Sequence, residues 1–368
     1  MSRSAEAALP SFFDQAAREH AMAMSSAGEV DCALCFGDRR VRLRFAGSAL
    51  THALTEALRP RVVADDAGAA HATIGLWEER HAPGGARPVP WRDIDLGARG
   101  LLRGPDGARV LAVHEAGSGA LTLVDRSARA LLYRVPGVST LPWWERAAPL
   151  RPALFWVLSG PGRHLVHAGA VGDAQRGGVL LAGAGGSGKT TVALAALAAG
   201  MAYVADDYLL LHTDGEPVAW NMFGTAKLDA GHLARFPQFA SAVSISADPV
   251  ADEKAVLDVD RLLPHALARS LPIRAVLVPR IRGGHARLRR ASAGEALLAL
   301  APSTAFQMPF DGGEVMGALA DVARAVPAFA LDVGDDLDEL AQAVDRVLDT
   351  VAGGEEHTFD QPPQTVAP

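Results

Sequence analysis

Cysteine is nearly absent from this chain, and so are a basic excess and any long apolar run. Only Cys32 and Cys35 occur among 368 residues, which excludes a disulfide-stapled fold. Their C-x-x-C spacing suggests zinc or redox chemistry. A zinc site needs four ligands, however, and no second Cys or Cys/His pair lies nearby, so both read as small apolar core residues of the segment Cys32 to Phe36. Lys and Arg number 35 against 42 Asp and Glu, a formal net charge of -7, so the overall field does not attract nucleic acid or anionic lipid. No window approaches the ~20 apolar residues a membrane span needs, and Met1 to Asp14 lacks a basic start leading into an apolar stretch. The expectation is a soluble cytoplasmic protein with neither nucleic acid nor membrane as partner.

What is present is ordinary globular composition, 49% apolar and 21% charged, in a chain long enough for two domains. Residues 1–27 form an Ala-rich, weakly amphipathic candidate helix. Residues 28–140 read as a small α+β domain of unknown role. Cys32 to Phe36 and Arg40 to Phe45 pair around the Gly37-Asp38 turn signal, Ala49 to Leu58 has helical spacing, and short strands follow at Ala72 to Trp77, Arg109 to His114 and Ala120 to Val124. The passage Pro136 to Pro149, with Trp143 and Trp144, marks a boundary. Residues 141–352 then alternate strands and helices, which predicts an α/β domain with a largely parallel sheet and ligands at the carboxyl ends of its strands. The tail, 353–368, has the composition of a disordered segment.

The chemistry begins at Gly183, Ala184, Gly185, Gly186, Ser187, Gly188, Lys189 and Thr190, which satisfy every fixed position of the phosphate-binding pattern G-x-x-x-x-G-K-[ST]. The strand-like run Gly178 to Ala182 precedes them, and the Ala- and Leu-rich run Thr191 to Ala199 follows as a helix. Residues without Cβ let the loop turn its N–H groups onto phosphate oxygens, and the positive end of the helix dipole faces the same anion. Lys189 can reach the β and γ phosphates and Thr190 can ligate Mg²⁺, so the loop with Thr191 predicts a nucleoside triphosphate site with Mg²⁺.

One helix later the strand Ala202 to Ala205 leads into Asp206 and Asp207. One carboxylate there can hold the metal while the other accepts a proton from an attacking hydroxyl, and their mutual repulsion raises one pKa. His167 lies in Leu165-Val-His-Ala-Gly169, read as part of one strand from Leu165 to Val171. By spacing alone it is as consistent with a core histidine as with a catalyst.

These three motifs together, His167-Ala-Gly-Ala-Val, the glycine loop, and Gly200-Met-Ala-Tyr-Val-Ala-Asp-Asp207, resemble the catalytic domain of HPr kinase/phosphorylase over residues 165–211. The fold of that family is related to that of phosphoenolpyruvate carboxykinases. The resemblance implies an ATP- and Mg²⁺-dependent kinase acting on a Ser or Thr of a protein or precursor peptide. Catalytic residues would be Asp206, Asp207, His167 and Lys189, with His167 tuning the base. Metal ligands are assigned as Thr190 and Asp207, while which aspartate is the base stays open. It further implies a possible homo-oligomer.

The sequence also departs from the family. The Glu-, Arg- and Gly-rich stretch that supplies a metal-binding glutamate is replaced by Trp220 to Asp229, and residues 28–140 do not resemble the family's N-terminal domain. Phosphorylase activity therefore does not follow. Lys227 and Arg280 are the leading candidates for a phosphate or substrate cation, with Arg235 and Lys254 behind them, and Pro302 to Gln307 is a candidate substrate loop. Two other functions fit the same residues: a kinase for a small hydroxyl metabolite, and a nucleotide-responsive regulatory protein without transfer activity.

Overall fold

The computed structural model describes residues 3–64, 68–85, 87–92, 96, 100–102, 108–115, 117–246, 248, 253–307 and 312–353. The tail read as disordered lies outside these residues from 354 onward, as does Asp252 beside Lys254. The chain divides after Ser159 into two compact units.

The first unit runs α1 (Arg3–Ala27), β1 (Glu29–Phe36), β2 (Arg39–Ala46), α2 (Ser48–Thr55), β3 (Val62–Val63), β4 (Ala72–Glu78), β5 (Val110–Glu115), β6 (Ala120–Asp125), β7 (Ala130–Val135), α3 (Trp143–Ala147) and α4 (Arg151–Leu158). Its strands form one open sheet in the order β3-β1-β2-β4-β7-β6-β5. The predicted hairpin is β1–β2, closed by Gly37 at φ 64°. Helix α1 lays Leu9, Phe12 and Phe13 against Trp77, Leu121, Leu123 and Leu132 of the sheet. The His20 ring fills the space above Gly75, where a Cβ would lie 2.7 Å from the imidazole, so the glycine is what lets the helix approach. Cys32 and Cys35 are half-buried rather than core residues, and they are not joined in a disulfide. An odd separation along one strand sends them to opposite faces of the sheet.

Behind β7, Glu145 of α3 is fully buried. Its Oε1 accepts from the Tyr133 hydroxyl at 3.0 Å and from the N–H of Leu150 at 2.8 Å. The second bond holds Leu150 in a left-handed conformation at φ 60° and so sets the turn into α4. Burial, with Glu115 adding repulsion and Arg151 opposing it, pushes the Glu145 carboxyl up to about 7. A carboxyl whose pKa is higher folded than unfolded contributes stability that is complete below the unfolded value. That stability is lost as pH rises through the folded one, here between about 4.5 and 7. Glu145→Gln keeps both accepted hydrogen bonds and removes the titration. Relative to wild type, with which it shares every other titrating group, the variant should gain stability progressively from about pH 4.5 to 7 and exceed it at pH 8 by on the order of 3 kcal/mol at most. Urea titrations at several pH values, followed by tryptophan fluorescence, measure this, since five of the six tryptophans lie in this unit.

The second unit runs β8 (Arg163–Val166), β9 (Gly169–Asp173), β10 (Gly177–Leu181), α5 (Lys189–Ala198), β11 (Ala202–Ala205), β12 (Leu209–His212), β13 (Val218–Asn221), β14 (Thr225–Leu228), α6 (Ala230–Leu233), β15 (Val243–Ile245), β16 (Ala255–Asp258) and α7 (Val259–Leu262). It continues through β17 (Ser270–Ile281), β18 (Arg287–Ala291), α8 (Ala293–Gln307), α9 (Gly312–Ala325), β19 (Ala328–Val333) and α10 (Leu337–Val351). The main sheet follows β11-β9-β10-β17-β13-β12-β8, with β19 beside β17 and β18 beyond it, and β14-β16-β15 form a small separate sheet. Alternation along β17 sends Ala275 and Leu277 to the core under α5 and α10, and Val276 and Val278 to the core under α8 and α9. Helices thus cover both faces of an open, mixed sheet.

The expectation of a largely parallel sheet is corrected. Among the described strands of the main sheet only β10–β17 and β17–β19 are parallel, and the other pairs are antiparallel. A parallel pair needs a long crossover, whereas β9–β10 and β12–β13 are joined by short turns that reverse the chain. The parallel trio still brings the carboxyl ends of β10, β17 and β19 to one edge, where the glycine loop sits.

Candidate active site

The loop between β10 and α5 leaves the sheet at Ala182, whose N–H donates to Leu277 at 2.9 Å. Gly183, Gly186 and Gly188 take φ of 156°, 78° and 101°, conformations that a Cβ would strain. A Cβ at Gly183 would meet Ser187 Oγ at 2.4 Å, while at Gly185 and Gly186 it would project into open space. The loop is therefore tight at its base and open at its tip. Ala184 lies in this turn, Ser187 Oγ is buried without a hydrogen-bond partner among the described residues, and Thr191 is buried in the first turn of α5. Lys189 opens that helix and folds back over the loop, donating to Gly183 O at 2.7 Å and Ala184 O at 3.1 Å. Burial lowers the Lys189 pKa, against the pull of Asp207 and Asp206.

Asp206 and Asp207 follow β11, and because neighbouring residues at a strand end diverge they take different partners. Asp206 Oδ2 accepts from the Thr190 hydroxyl at 3.1 Å and from the N–H of Lys227 at 3.1 Å, and its Oδ1 lies 3.2 Å from the Tyr203 hydroxyl. Asp207 instead meets His167 Nε2 on Oδ1 and the Lys227 ammonium on Oδ2. The sequence pairing of Thr190 with Asp207 changes in one member: the carboxylate beside Thr190 is that of Asp206. Asp206 is 3% exposed and the Asp207 side chain 19%, so Asp207 is the more accessible of the two carboxylates.

Burial, reinforced by Asp207, raises the Asp206 pKa. Burial acts in the same sense on Asp207, but Lys227 and then His167 outweigh it and hold that carboxyl well below the usual range. Burial lowers the His167 pKa and dominates over Asp207. The ring Nδ1 is buried without a hydrogen-bond partner among the described residues, which fits a bare lone pair there and an Nε2–H donated to Asp207.

His167 does not lie within a strand. The segment read as one strand from Leu165 to Val171 breaks into β8 and β9, and His167 occupies the break. β8 pairs with β12 while β9 pairs with β10 and β11. Freed from the ladder, its backbone groups find partners on α8: its N–H donates to Thr304 Oγ1 at 3.2 Å, and Ser303 Oγ donates to its carbonyl at 3.3 Å. Pro302 to Gln307, expected as a substrate loop, is thus the last part of a helix, with Pro302 inside it.

Of the candidate cations, Lys227 on β14 reaches the site. Arg280 pairs with Glu295 at 3.2 Å, and Glu295 is itself held down to about 2 by Arg289. Arg235 donates to the carbonyl of Asp335, and Lys254 is exposed. Sequence reasoning missed three contributors. Tyr208 lies with its ring centroid 5.2 Å from that of His167 and 4.8 Å from Lys227 Nζ. Asn221 is buried and donates to Val204 O at 2.7 Å and Phe223 O at 2.8 Å. Tyr203 is wholly buried, a placement that obliges a phenol to find a polar partner.

Thr190 and Asp206 present two hard oxygen donors side by side, the donor chemistry suited to Mg²⁺, which takes one or two protein oxygens and completes its shell with phosphates and water. Among the described residues no cluster of three or more His, Cys, Asp or Glu could cage a metal by itself. No described helix is long and apolar enough to cross a membrane. A cavity of about 580 Å³ lined by Asp173, Arg176, His265 and Asp345 lies at the far end of α5 and includes none of these site residues.

No protein-family model matches the chain, and no curated protein matches it. Among solved structures it is similar to the Hpr(Ser) kinase/phosphatase from Coxiella burnetii, at 14% identity over 52% of this chain and 99% of that one, with a TM-score of 0.31.

Proposed function

We propose that this protein is a kinase that transfers the γ-phosphoryl group of ATP to a hydroxyl, a Ser or Thr of a protein or peptide. The observation that carries this reading is the split between the two aspartates. One lies against Thr190 at the start of α5, and the other, the more exposed of the two, is held ionised by Lys227 and His167. A switch protein needs a carboxylate near the metal but has no use for a second one oriented by a histidine. The glycine loop amides and Lys189 hold the triphosphate, with Thr190 and Asp206 as ligands of Mg²⁺. Bound Mg²⁺ would neutralise charge on the phosphates.

Asp207 takes the proton of the acceptor hydroxyl as that oxygen bonds to the γ-phosphorus and the bond from phosphorus to the β-bridging oxygen breaks, releasing ADP. His167 keeps Asp207 Oδ1 oriented through its Nε2–H. Lys227, in reach of Asp207, is the cation placed to meet charge on the γ-phosphate. Incubating the full chain with γ-labelled ATP, Mg²⁺ and a panel of Ser/Thr peptides and hydroxyl metabolites tests the reading. Label is expected on a peptide. Label on a metabolite alone would move the acceptor class, and hydrolysis with no labelled product would overturn the kinase in favour of a nucleotide-responsive regulator.

A further inference from the structure

We infer that Tyr203 is a positioning residue that holds Asp206 in the orientation a divalent cation requires, an inference that rests on the reading of Asp206 as a metal ligand. Tyr203 sits in β11 with 0% exposure, and its hydroxyl lies 3.2 Å from Asp206 Oδ1 and 3.0 Å from the carbonyl of Thr225. A phenol has one proton, so it donates to one of these acceptors at a time. The other carboxylate oxygen, Oδ2, receives the Thr190 hydroxyl and the Lys227 N–H. Asp206 is thereby held from both ends: Tyr203 fixes Oδ1, which keeps Oδ2 turned toward Thr190. A cation held by the Asp206 carboxylate would draw charge from it, weakening Oδ1 as an acceptor and favouring the phenol proton on Thr225 O. That carbonyl belongs to β14, the strand that carries Lys227. Tyr203 therefore joins the aspartate that faces the metal to the strand that supplies the cation at Asp207.

Partners of this kind, one bond removed from a metal ligand, typically change metal affinity by roughly 10- to 100-fold when lost. Tyr203→Phe keeps the ring in the core and removes only the hydroxyl. The Mg²⁺ concentration for half-maximal binding of a non-hydrolysable ATP analogue should rise by about that factor, while affinity for the same analogue in EDTA stays within about twofold. On an Asp206→Asn background the substitution should add no further loss, because the tyrosine acts through that carboxylate. A purely structural role would weaken binding equally with and without Mg²⁺, and either that result or an unchanged Mg²⁺ requirement overturns the inference while the kinase reading stands. If wild type itself shows no Mg²⁺-dependent binding, both fall.

A second measurement does not depend on the variant folding. The chain has three tyrosines, Tyr133, Tyr203 and Tyr208, so the full chain labelled with 3-fluorotyrosine gives three ¹⁹F signals, assigned through Tyr133→Phe and Tyr208→Phe. Adding Mg²⁺ to the ADP-bound protein should move the Tyr203 signal. A signal indifferent to Mg²⁺ overturns the inference.

Discussion

Lys189→Ala should lose at least 100-fold in affinity for MgATP, the largest binding effect expected of any single substitution in this chain. The ammonium is buried at the head of α5 and spends its hydrogen bonds on two carbonyls of its own loop, Gly183 and Ala184. A triphosphate offers it charged oxygens instead, and two charge-assisted hydrogen bonds at about 1.5 kcal/mol each correspond to roughly two decades in Kd. The fold should survive. α5 is anchored through Val192, Leu194 and Leu197 in the core shared with α10, and the side chain removed is one whose charge burial already disfavours. Lys189→Arg should not restore binding, because a planar fork does not reproduce a compact ammonium folded over a loop. Calorimetric titration with MgATP, alongside a thermal melt, checks the expectation. Unchanged affinity with an unchanged melt would remove the nucleotide site from the glycine loop.

Asp207→Asn is expected to lower kcat by ~10²- to 10⁴-fold, the range for a lost general base, with MgATP affinity changed by no more than a few-fold. Asn keeps the shape and the bond from His167 Nε2 but cannot accept the hydroxyl proton. It also leaves the Lys227 ammonium, whose side chain is 13% exposed, without its charged partner, so some loss of thermal stability should accompany the loss of turnover. Single-turnover assays with the labelled acceptor separate the two, since chemistry and binding are then read independently. Transfer at the wild-type rate in this variant would place the acceptor chemistry elsewhere.

The parts of the site that the sequence made legible are the local ones. A glycine loop followed by Lys and Thr needs its residue types at fixed offsets because backbone amides and two side chains must converge on one anion, so the pattern is visible without any knowledge of the fold. The hairpin at Gly37, the strand Ala202 to Ala205 and the helix that follows the glycine loop were readable for the same reason: turn chemistry and hydrophobic period are properties of neighbouring residues. The motif order that brought His167 and the two aspartates under consideration was also in the sequence. The geometry joining His167 to Asp207 was not, because their separation in the chain says nothing about which oxygen of which carboxylate the ring meets.

Sequence alone therefore determined the candidate residues, the α/β alternation of the second unit and the chemistry its loop suggests. Tertiary structure alone decided the rest. It broke the strand at His167, because β8 and β9 pair with different neighbours, and satisfied the freed backbone with Ser303 and Thr304 from a segment that had read as a loop. It turned most of the main sheet antiparallel through short connections. It sent Arg280 to Glu295 and Lys227 to Asp207, a choice between two exposed-looking cations that depends on which strand edges meet. It also placed Thr190 against Asp206 and left Asp207 the more exposed, because consecutive side chains at a strand end point apart and only the packing of α5, β11 and β14 fixes which of them faces the helix.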